Sequence, residues 1–144
     1  MKKILSILTG LCLLCALAAG CSGTAKSDMV DLTALSDTIR SAELANITAS
    51  PNNYLGKTIK IDGTYQVQYF EPTNQYYHGV LVVDAAACCQ QGMEFKWNGE
   101  HKYPDDYPQV GTQIELTGVF ESYTELGNMY YHLIVDEITV LDKR

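Results

Sequence analysis

Gly56-Lys57-Thr58-Ile59-Lys60-Ile61-Asp62-Gly63-Thr64-Tyr65 and Gly111-Thr112-Gln113-Ile114-Glu115-Leu116-Thr117-Gly118-Val119-Phe120 carry one pattern twice, 55 residues apart: glycine, aliphatic, aliphatic, glycine, aromatic, in register. Around the first copy, Ile59, Ile61, Tyr65 and Val67 fall on one face, while Lys60, Asp62, Thr64, Gln66 and Gln68 fall on the other. A period of two is that of a strand with one side on a core and one in water. Each copy begins at a glycine turn and holds a second glycine inside the strand, where glycine marks a bulge or a tight corner. A five-stranded Greek-key barrel of the OB type needs such bends in its first and fourth strands, which close the barrel. Alternation alone is also compatible with a sandwich.

Working outward, further strands are expected over Tyr76 to Asp84, Gly92 to Trp97, Gln113 to Tyr123 and Met129 to Leu141, separated by segments rich in Pro, Gly, Asn and Asp. Upstream, Val30, Leu32 and Leu35 suit a short extended piece, and Ser41 to Ile47 has helical composition. Pro51 ends any helix there, because the residue before a proline is driven out of the helical region. The expected fold is therefore all-β: a five-stranded OB-like barrel with a short N-terminal helical segment.

The N-terminus reads differently. Lys2 and Lys3 precede an apolar run from Ile4 to Ala19 that ends in Leu17-Ala18-Ala19-Gly20-Cys21. A charged start, an apolar stretch too short for a comfortable span and small residues before a cysteine describe a lipoprotein signal peptide over 1–20 and a lipobox. Cys21 is then the acylated first residue of the mature chain, carrying palmitate-type lipid. The protein is expected at the cell membrane, on its extracytoplasmic face. Residues 21–29, small and polar, form a flexible tether, and 30–144 form the barrel domain with its N-terminal extension. Cys12 and Cys15 have the spacing of a redox motif, but both depart with the signal.

The chain has a net charge of −7, and loss of Lys2 and Lys3 makes it more acidic still. No segment concentrates its remaining cations, so nucleic acid is not expected as a partner. No nucleophile elbow, zinc-protease helix or phosphate-cradling loop is present, so no enzyme is expected.

Chemistry is instead expected at Cys88 and Cys89, adjacent at a hairpin tip in an extracytoplasmic domain with no other thiol to pair with. Such a pair has three readings: ligation of a thiophilic ion such as zinc or copper, a vicinal disulfide acting as a redox clip, or burial as small apolar residues. For a metal site the candidate ligands are Cys88, Cys89, His132 and Glu94. His132 begins the last strand, which in an OB barrel runs parallel to the third; Glu94 points opposite to Met93 and Phe95. His78 is expected roughly 20 Å from the tip, and His101 is expected as a solvated loop residue.

The ten tyrosines supply the alternative. Tyr65, Tyr69, Tyr76, Tyr77, Tyr123, Tyr130 and Tyr131 lie in or beside strands, where half face outward if alternation holds, and outward rings on an acidic barrel suit a glycan or protein ligand.

Asp31-Leu32-Thr33, Tyr54-Leu55-Gly56-Lys57 leading to Gly63, Asp84-Ala85-Ala86-Ala87-Cys88-Cys89-Gln90-Gln91-Gly92-Met93-Glu94-Phe95, and Tyr107-Pro108 followed by Gly111 and Gly118 resemble a family of small lipoproteins from Gram-positive anaerobes. The resemblance covers most of residues 29–141 and is most specific around the cysteine pair. It implies an OB-like mature domain on a membrane tether, and no particular activity.

Overall fold

The computed structural model describes residues 29–83 and 90–142. The signal peptide, the tether up to residue 28, Cys21 and the Cys88–Cys89 pair lie outside the described residues; Met29, expected in the tether, opens the first strand.

Six strands and one helix follow in order: β1 Met29–Asp31, α1 Asp37–Ala49, a 3-10 turn at Pro51–Asn53, β2 Thr58–Phe70, β3 Gln75–Val83, β4 Gln90–Trp97, β5 Gln113–Glu125 and β6 Asn128–Val140. The five expected strands are present with ends shifted by one or two residues. A sixth, β1, forms where a short extended piece was expected and pairs parallel to the start of β2. The helix runs farther than Ser41 to Ile47 because Asp37 favours the positive dipole end, and the Ser50 N–H still reaches the Asn46 carbonyl before Pro51.

The strand order closes on itself. β2 pairs with β3 through Thr64–Phe70 and with β5 through Thr58–Thr64, while β3 pairs with β4, β4 with β6 and β6 with β5. β4 and β6 are parallel and all other barrel pairs antiparallel. That connectivity is the OB barrel, and a sandwich is excluded because β2 serves both ends of the sheet.

The two copies of the repeat face each other across the closing seam, antiparallel, with Ile59 opposite Gly118 and Gly63 opposite Ile114. They obey a local two-fold relation. The Gly56 N–H donates to the Phe120 carbonyl and the Gly111 N–H to the Tyr65 carbonyl, both at 2.9 Å, so each copy's first glycine binds the other's last aromatic. Gly56 and Gly111 have positive φ, a turn conformation open to glycine. Gly63 and Gly118 have another reason to be glycine. A β-carbon on either sits 2.5 Å from a neighbouring carbonyl oxygen, of Leu81 or Ile134, so only a bare backbone fits these corners.

The barrel is filled by Ile59, Ile61, Tyr65, Val80, Met93, Phe95, Ile114, Leu116, Phe120, Leu133 and Val135. Leu44 and Ile47, one turn apart on α1, extend that core, and Gln91 donates to the Ser41 carbonyl at 3.3 Å. Arg40 holds the helix base: its Nε donates to the Leu32 carbonyl at 3.0 Å and its Nη1 lies 3.1 Å from Asp62 Oδ1. That carboxylate oxygen is buried and has no well-aligned hydrogen bond, so the arginine charge is what compensates it.

Candidate functional site

The β2–β3 and β5–β6 hairpins both run past the barrel wall, and the space between them is floored by the second half of β4. A cleft of about 410 Å³ lies there, lined by β3 from Gln75 to His78, β4 from Glu94 to Trp97, Gly99, His101 and Tyr107, and by Tyr123, Glu125 and His132 from the other hairpin. Tyr77 ties the arms together, its hydroxyl donating to Glu125 Oε2 at 2.6 Å.

One wall is a polar network. The Tyr123 hydroxyl reaches both oxygens of Glu94, at 2.9 and 3.1 Å, and the Tyr123 ring stacks on His132 with centroids 4.6 Å apart. His132 Nδ1 is 3.7 Å from Glu94 Oε1. Burial first, then the Glu94 hydrogen bond, pushes the Tyr123 hydroxyl well above its ordinary range; burial and the Glu125 hydrogen bond raise Tyr77 likewise. Both hydroxyls therefore stay protonated and act as donors to carboxylates.

The other wall is a stack of rings. His78 lies against Tyr107 with centroids 3.9 Å apart, and its Nδ1 shares a 2.7 Å hydrogen bond with the Tyr65 hydroxyl. Burial pulls the His78 pKa down to about 4, leaving the ring neutral at pH 7. Trp97 stacks on His101 at 3.7 Å and donates from Nε1 to the Asp136 carbonyl. Tyr76, 49 % exposed, packs on Tyr103 with centroids 4.7 Å apart and offers the cleft its most open ring.

Of the four expected metal ligands, the structure brings Glu94 and His132 together. Cys88 and Cys89 lie outside the described residues. β6 joins β4 at Phe95 to Trp97, in the second half of β4, so Glu94 stands four residues, roughly 13 Å, from Gln90 at the strand's start. Parallel pairing of the two strands was expected, but their meeting point is farther along β4 than the metal argument assumed. Among the described residues no group of three or more His, Cys, Asp or Glu is arranged to hold a metal ion.

The tyrosine expectation divides by face. Tyr69, Tyr76 and Tyr130 are exposed. Tyr65 is fully buried, as the alternation that set it beside Ile59 and Ile61 requires. His101, expected in solvent, is half-buried by its stack on Trp97. His78 was set aside for its distance from the hairpin tip, yet it shares the inward face of Val80 and Val82. The signal missed was the Tyr103–Tyr107 loop, which is rich in Pro and Asp yet folds rings back onto that face.

No protein-family profile and no curated protein matches the chain. Among solved structures it is similar to the dimeric N-terminal domain of PriB from Thermoanaerobacter tencongensis, at 13 % identity and a TM-score of 0.38 over 60 % of this chain and 97 % of that one. It is also similar to OBody NL8 bound to hen egg-white lysozyme, at 12 % identity and a TM-score of 0.36 over 61 % of this chain and 98 % of that one. Both likenesses are loose, and the OB assignment rests on the strand order and the closing seam.

Proposed function

We propose that this chain is a binding module, tethered by lipid on Cys21 to the extracytoplasmic face of a membrane, that takes an oligomeric ligand in the cleft between its two long hairpins. The observation that carries the reading is the cleft itself, walled on one side by rings and on the other by Tyr-bound carboxylates. OB barrels engage oligomers across this same face, between these same two hairpins. Rings suit the flat faces of sugars or the side chains of a polypeptide, while the two carboxylates repel phosphates. The tether reading rests on the lipobox at Leu17 to Cys21.

The chain's single tryptophan, Trp97, lines the cleft and makes the test direct. Full-length protein in detergent is titrated with chitohexaose, with a basic hexapeptide and with oligothymidylate while Trp97 emission is followed. A sugar or peptide is expected to shift the emission saturably, and Tyr76→Ala to weaken that response. If nothing shifts it, or if oligothymidylate alone does, the reading is wrong.

A ligand site built instead on Cys88 and Cys89 is the second reading. It keeps the adjacency of the two thiols as its support, with Glu94 and His132, 3.7 Å apart, as the candidate further ligands.

A further inference from the structure

We infer that the occupant of this cleft is an extended polypeptide that pairs as a strand along the open edge of β6 and places a lysine or arginine between Glu94 and Glu125; the inference rests on the cleft reading above.

The sheet forks at the cleft. β6 pairs with β4 through Leu133 to Val135 alone, while its first stretch, Asn128 to His132, pairs only with β5. Among the described residues no strand occupies the other side of that stretch, which spans roughly 16 Å. Met129 and Tyr130 on it are 61 % and 40 % exposed. An accessible strand edge carries unpaired N–H and C=O groups, and an extended peptide satisfies both.

The side-chain chemistry at the fork selects a cation. Glu94 stands one residue before the β4–β6 junction and Glu125 lies on the partner strand of the open edge. Their partners among the described residues are the Tyr123 and Tyr77 hydroxyls and His132; no lysine or arginine forms an ion pair with either. The Tyr77–Glu125 and Tyr123–Glu94 hydrogen bonds, at 2.6 and 2.9 Å, both lie in the cleft lining, so the four groups share one wall. His132 lines the cleft, its ring stacked on Tyr123 and its Nδ1 3.7 Å from Glu94 Oε1. Lys96, also in the lining, lies within the junction opposite Ile134, two residues on from Glu94, and forms no ion pair with either carboxylate. Two carboxylates without a fixed countercharge, walled by rings, favour an ammonium or guanidinium group over a neutral hydroxyl. The chain's net charge of −7 draws a basic segment toward them.

The probe is the hexapeptide Lys-Thr-Lys-Thr-Lys-Thr amide, read by Trp97 emission on the full-length protein, beside its form N-methylated on every threonine and beside chitohexaose. Binding is expected to weaken at least tenfold in Glu94→Gln and in Glu125→Gln, to weaken as strongly on N-methylation, and to stay unchanged in Asp37→Asn, an acidic change on the remote helix. A thermal melt checks that each variant is folded. Peptide binding that ignores both glutamine variants, or that ignores N-methylation, overturns the inference. If chitohexaose shifts Trp97 and the peptide does not, the peptide inference falls and the cleft reading stands; if neither acts, both fall.

Discussion

A β-carbon built on Gly118 falls 2.5 Å from the carbonyl oxygen of Ile134. The contact is with backbone of the neighbouring strand, at the point where the β5–β6 register shifts between Leu116 and Gly118. Gly63 repeats it against the Leu81 carbonyl, so both corners of the closing seam depend on the absence of a side chain.

Gly118→Ala and Gly63→Ala are therefore expected to destabilise the domain by about 1–3 kcal/mol, the cost of overpacking. Gly92→Ala, whose added atom meets the Val80 carbonyl at an ordinary 3.7 Å, is expected to stay within about 0.5 kcal/mol. Chemical denaturation separates the two. Equal stability for Gly118→Ala and Gly92→Ala would mean that the corner is looser than its geometry.

Stability is expected to fall on acidification through His78. Its folded pKa is lowered to about 4 by burial, whereas an unfolded chain returns it to about 6.5. Between those values the unfolded state binds the extra proton, so the contribution is fully present above pH 6.5 and is lost as pH drops toward 4, by roughly 1–3 kcal/mol. His78→Gln keeps a hydrogen-bonding partner for Tyr65 and removes the titration. Urea midpoints at pH 7, 5.5 and 4.5 should fall less steeply in that variant; parallel curves would assign the acid sensitivity elsewhere.

Cys21→Ala is expected to release the protein from membranes, because the proposed lipid anchor needs that thiol and, among the described residues, no helix is long and apolar enough to cross a bilayer. Fractionation after a high-salt wash is the measurement. Retention at the wild-type level would show another attachment.

The separation of Glu94 from Gln90 bears on any metal at the cysteine pair. Zinc binding by Cys88 and Cys89 should weaken as pH falls, since protons compete for the thiolates, and should disappear in Cys88→Ser or Cys89→Ser. His132→Ala should weaken it, which requires the hairpin to fold back onto the fork. Zinc titration of the reduced protein decides this, and an unchanged affinity in His132→Ala would take His132 out of the ligand set.

Strand content and barrel type were legible because both are local or repeat-borne. Alternation over Ile59 to Val67 gives strand period, and the glycines at matching places in two segments name the corners that a small barrel must have. The cleft was not legible. Glu94, Tyr123, Glu125 and His132 come from three strands, and His78 and Tyr107 from a strand and a loop 29 residues apart, so no spacing in the sequence records their contact. Which rings face out was half legible: parity put Tyr65 inside, but whether Tyr76 or Tyr77 meets solvent depends on how far the two hairpins overrun the barrel. The sequence by itself determined secondary structure and corners, because those follow from backbone sterics and nearest-neighbour polarity. The tertiary structure alone decided the site, because parallel strands meet where barrel closure sets their register, and that register put His132 beside Glu94.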